Sequence, residues 1–154
     1  MASEPQVASA SCMLLHRPTG SPDVAFRSAG YFPGTTNFLG GPRVSLTEPD
    51  CDDALPLATY PVAANSLDLA MIRAEIFAEL DGLDARNFPY SHNDIDFAMR
   101  AMRKDLMHLC TTGVSAYCDR RRTRGTLTDV PAGEIVQTAA LADLLGKAAV
   151  LHKL

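Results

Sequence analysis

Apolar side chains recur at three- and four-residue steps through the second half of the chain and keep no sustained period in the first. Asn65 or Ser66 can cap a helix, Asp68 suits its first turn, and Leu69, Ile72, Ile76, Leu80 and Leu83 share one face, which predicts a helix over about 67–82. Ser91 and Asp94 resemble a capping box with Asp in the place of Glu. Ile95, Met99, Met102, Leu106 and Leu109 follow at helical spacing and Gly113 is a natural stop, so a second helix is expected over about 92–111. A third, over about 131–152, is opened by Asp129 and Pro131 and carries Ile135, Ala139, Ala142, Leu145 and Ala149.

Prolines divide the chain. Pro5, Pro18, Pro22, Pro33, Pro42, Pro49, Pro56 and Pro61 precede residue 65, and only Pro89 and Pro131 follow it. Proline fixes φ, removes a donor and restricts the residue before it, so residues 1–64 read as an extended arm with turns. Short strands are expected in it at Val24–Phe26 and Val44–Leu46. Phe26, Tyr31, Phe32 and Phe38 give the arm apolar surface that must find a cover. The expected fold is therefore mainly α: a bundle of three to four helices over 65–154, preceded by an extended proline-rich N-terminal arm over 1–64.

Composition narrows the class. With 154 residues, 47% hydrophobic and 21% charged, the chain suits one globular domain. A net charge of −4 argues against bulk attraction to nucleic acid and leaves only a local basic site open. No window approaches the ~20 apolar residues of a membrane span. The N-terminus, with Glu4 and a short apolar patch, resembles neither a signal nor a transit peptide. Cys12, Cys51, Cys110 and Cys118 fall in no CxxC or zinc spacing, which reads as free thiols in a reducing, intracellular setting.

Two groups of charges carry candidate chemistry. Asp81, Asp84, Arg86, Asp94, Asp96, Arg100 and Arg103 surround the break between the first two expected helices, where a hairpin would gather them at one tip. They read either as a solvated rim or as a phosphate site, since arginine forks match phosphate oxygens. Arg120, Arg121, Arg122 and Arg124 form a basic loop between glycines, open to the same two readings. Catalysis finds little support. Cys110 and His108 stand two apart, which on a helix points them to different sides, and the histidines follow no metal-ligand spacing. No enzyme activity, cofactor or metal is expected.

Read in order, several segments resemble the coat proteins of rod-shaped plant viruses of the tobamovirus type. Phe26-x-Ser28-Ala29-x-x-x-Pro33 is similar to a stretch near that family's N-terminus, and Glu48-Pro49-Asp50-Cys51-Asp52 to one of its turns. Asn65-Ser66-Leu67-Asp68 and Leu83-Asp84-Ala85-Arg86-Asn87 resemble the opening and close of a radial helix. Asp94, Ala98, Arg100, Leu106, Gly113 and Tyr117 keep the spacing of the last one. The chain departs from the family at 34–64, which is short and proline-rich, at 88–93, which lacks the long inner loop, and at 125–154, which is additional. The resemblance implies a self-assembling coat subunit that packages single-stranded RNA in a helical array, in a virion or host cytoplasm, with itself and RNA as partners and no membrane. It places Asp84, Arg86, Asp94 and Arg100 at the RNA site, to which the charge cluster at the same tip adds Arg103, and makes Asp68 a carboxylate that repels a neighbouring subunit. The alternative is a small non-catalytic adaptor subunit of a larger intracellular protein assembly.

Overall fold

The computed structural model describes residues 4–16, 25–38, 41–47, 49, 55–88 and 92–118. Strand β1 (Val7–His16) organises them. Along one of its edges runs β7 (Met107–Cys118), parallel to it. Its other edge is shared by β2 (Ala25–Ser28), antiparallel at Leu14–His16, and β6 (Met71–Ile72), antiparallel at Ser9–Ala10. β5 (Thr59–Val62) adds to β7 antiparallel, giving the order β2-β1-β7-β5. β3 (Phe32–Phe38) and β4 (Gly41–Thr47) form a separate antiparallel hairpin. Two helices, α1 (Ala74–Glu79) and α2 (Asn93–Met102), lie between β6 and β7 in the chain.

Among the described residues, a mainly β fold with two helices replaces the expected three- to four-helix bundle. In the segment 67–82, only Ala74–Glu79 is helical, because Met71 and Ile72 are drawn into the sheet beside β1. In 92–111 the helix stops at Met102. Asp105, at φ 58°, turns the chain, and Leu106 N–H closes the turn on Ala101 O. The segment after it satisfies two periods at once. Leu106 and Leu109 extend the helical stripe, yet His108 and Cys110 point inward while Met107 points out, and Thr111, Thr112 and Val114 are β-branched. Pairing along β1 decides for the strand. The third expected helix, 131–152, lies outside the described residues.

In the proline-rich half, the expected strand Val24–Phe26 overlaps β2 and Val44–Leu46 lies within β4. Proline is compatible with these strands because of where they sit. Pro61 is on the marginal strand β5, and Pro33 and Pro42 belong to a two-stranded hairpin, so none interrupts the middle of a sheet. The sheet itself joins residues from both sides of position 64.

Two apolar clusters lie among the described residues. Between Val7↔Met107 and Ser9↔His108 the register shifts, leaving Ala8 as an extra residue. Ala8 packs against Ile76 and Leu80 near α1 and against Phe97 and Ala101 of α2. Burying a side chain such as Phe97, 2% exposed, contributes about 1.5–3 kcal/mol. The second cluster holds Ala29, Val62 and Cys110, with Phe32, Leu55 and Tyr60 against it.

Candidate functional site

Cross-strand partners share a face of a sheet, so the registers define two rows. One row, Ile72–Ser9–His108–Val62, runs across β6, β1, β7 and β5. It faces the helices, as Ile72 packs on the α1–α2 cluster and the His108 ring reaches Ala98 O of α2. The adjacent row, Met71–Ala10–Leu109–Pro61, therefore faces away from them. Met107, two residues before Leu109, lies on that same outer face. Met71 is 66% exposed and Met107 39%, Pro61 is exposed, and Ala10 and Leu109 are half-buried. Met71 also rims a shallow groove of about 320 Å³ whose other wall includes Arg73 and Glu75. Arg73 is fixed there by donating to Glu4 O and Pro5 O at 3.2 and 2.9 Å.

The residues expected at an RNA site fall in separate settings. Arg100 donates through Nη1 to Leu80 O, through Nη2 to Gly82 O at 2.8 Å, and pairs with Asp96 at 2.8 Å. Its guanidinium thus closes the carbonyl end of α1 and ties it to α2. Asp84 accepts from Arg86 N–H, Asn87 N–H and the Asn87 amide, which holds the 85–87 turn and lowers its carboxyl below the usual range. The Arg100 charge adds a little to that lowering. Asp94 lies at the opposite end of α2, where burial raises its carboxyl and Tyr31 Oη donates to it at 3.2 Å. Arg86 and Arg103 are exposed, as is Asp68. Arg120, Arg121, Arg122 and Arg124 lie outside the described residues.

A buried polar chain, which the sequence reading missed, crosses the inner row. Ser9 Oγ lies 2.7 Å from His108 Nδ1, the Asn65 amide donates to Ser9 Oγ at 2.9 Å and to Leu109 O at 3.1 Å, and His108 Nε2 lies 3.2 Å from Ala98 O. A serine bonded to a histidine has the makings of a nucleophile and base. Here Ser9 is 4% and His108 1% exposed, so both are closed to a substrate. Cys110 shares the His108 face because positions two apart align on a strand. Burial pushes its thiol up to about 11, away from reactivity. Cys12 and Cys110 are free thiols, and no metal-holding group of three or more His, Cys, Asp or Glu occurs among the described residues. Among those residues, too, no helix is long and apolar enough to cross a membrane.

Comparisons with protein families, curated proteins and solved structures found no match to this chain.

Proposed function

We propose that the chain is a non-catalytic subunit that assembles with copies of itself through the outer face of its sheet. The row Met71–Ala10–Leu109–Pro61, with Met107 beside it, carries this reading. A sheet packed by helices on one side and carrying an exposed apolar row on the other gains by covering that row. A two-fold pairing needs only one such patch, because each copy offers it to the other. The serine, histidine and cysteine best placed for chemistry are enclosed, which favours an assembly role over catalysis. In sedimentation, the full chain should form dimers or larger species at tens of micromolar, and Met71→Asp with Met107→Asp should be monomeric with unchanged circular dichroism. A wild-type chain that stays monomeric, or an unaltered oligomer in the double variant, overturns the reading.

A second reading, a coat subunit packaging single-stranded RNA in a helical array, shares the self-association and adds a polyanion. The exposure of Arg86 and Arg103 favours it. Arg86→Ala and Arg103→Ala should then weaken RNA retention for all sequences alike, and retention should fall steeply with salt. Assemblies free of nucleic acid, or retention indifferent to both variants, exclude that RNA site.

A further inference from the structure

His108 sits where the sheet meets α2, and each of its ring nitrogens has a partner of fixed polarity. Ala98 O can only accept, so Nε2 carries the hydrogen and donates to it. Nδ1 is then an acceptor and takes the Ser9 hydroxyl hydrogen at 2.7 Å. Ser9 Oγ in turn accepts from the Asn65 amide. This arrangement suits a neutral ring alone. A second ring proton would place an N–H on Nδ1 against Ser9 Oγ and strand the hydroxyl hydrogen without an acceptor. Asn65 Oδ1 is a buried oxygen with no hydrogen-bond partner. Turning the Asn65 amide to offer that oxygen to Ser9 would remove the hydrogen bond to Leu109 O and set two oxygens together. The chain of bonds has no relaxed form with a charged ring.

We propose that His108 is an acid-releasable lock, holding α2 on the sheet while neutral and freeing it when protonated. Among the described residues no counter-charge softens the conflict. Around the ring, α2 carries Asp94, Asp96 and Arg100; Asp94 is bonded by Tyr31 and Ile95 N–H, and Asp96 by Arg100. β1 contributes Cys12, β5 Tyr60, β7 Cys110, and the loop after Asn65 the exposed Asp68. Among the described residues, none of these is hydrogen-bonded to the His108 ring. Burial accordingly lowers the affinity of the ring for a proton from its ordinary 6.5. The sign follows from linkage: a histidine held neutral supports the fold fully above the unfolded value of about 6.5 and loses that support as pH falls below it.

Amide hydrogen exchange on the full chain, corrected for the intrinsic effect of pH, tests the lock. Protection at Phe97–Ala101 should fall as pH drops below about 6.5, approaching tenfold per pH unit until the closed-state ring itself takes up the proton, the signature of one proton bound on opening. The loss should reverse on neutralisation. His108→Gln, which cannot be protonated, should remove that dependence. Equal wild-type protection at pH 7 and pH 5, or a folded His108→Gln that keeps the acid dependence, overturns the proposal. Should His108→Gln fail to fold, the imidazole resonances of the wild type decide. A His108 that stays neutral until α2 loses protection supports the lock, whereas one that titrates near 6.5 with α2 still protected contradicts it.

Discussion

Arg100 shows how position converts a candidate ligand group into a structural one. The spacing of charges grouped it with Asp84 and Asp96, and it does pair with Asp96, but its fork closes on Leu80 O and Gly82 O. A cation at the carbonyl end of a helix is favourable, and charged hydrogen bonds contribute more than neutral ones. Arg100→Ala should therefore cost about 2 kcal/mol in urea unfolding. Arg86→Ala, on the surface, should change stability by less than about 0.5 kcal/mol. If the two variants unfold alike, the Arg100 contacts do not stabilise the fold. Any loss of RNA retention in Arg100→Ala has to be read against this effect on folding, while Arg86→Ala reports on the surface directly.

At the scale of elements, the hydrophobic stripes were legible and their terminations were not. Ile76 and Leu80 do sit on a buried helical face, as do Ile95 and Met99. Leu106 and Leu109 continue the same stripe by spacing, and nothing within ten residues of them reveals β1. Pairing with a strand about a hundred positions away sets that boundary, since the Ser9–His108 contact spans 99 residues. Tertiary pairing here outweighs local period. The outer row was illegible for the same reason, because Met71, Ala10, Leu109 and Pro61 become neighbours only through three registers. Val44–Leu46 was legible as a short strand among the prolines, whereas its partner Phe32–Phe38, rich in glycine, threonine and asparagine, was not. One glycine joins these parts: Gly30, at φ 87°, has Val62 Cγ1 only 2.6 Å from where a Cβ would stand. Gly30→Ala should destabilise by about 2 kcal/mol or more through strain and overlap together. A thermal midpoint within about 2 °C of wild type, against the roughly 4–8 °C expected for about 2 kcal/mol, would show that this approach can relax.

For the whole molecule, helices cover one face of a mixed sheet, and among the described residues the other face carries the row Met71–Ala10–Leu109–Pro61 with Met107, flanked by the Cys12–Thr111–Thr59 row. Methionine adapts its shape to a partner, so Met71 and Met107 suit a surface that is buried on assembly. Oxidation reads such burial directly, as the thioether reacts with peroxide according to its access to solvent. The decisive measurement is the oxidation rate of Met71 and Met107 in the full chain over a hundredfold range of protein concentration, with peroxide in constant excess. Self-assembly through the outer face predicts that both rates fall together as concentration rises, while Met99, enclosed by α2 at 4% exposure, stays slow throughout. Rates at Met71 and Met107 that do not change with concentration, in a chain that sedimentation shows to be associating, would place the interface elsewhere and contradict the account.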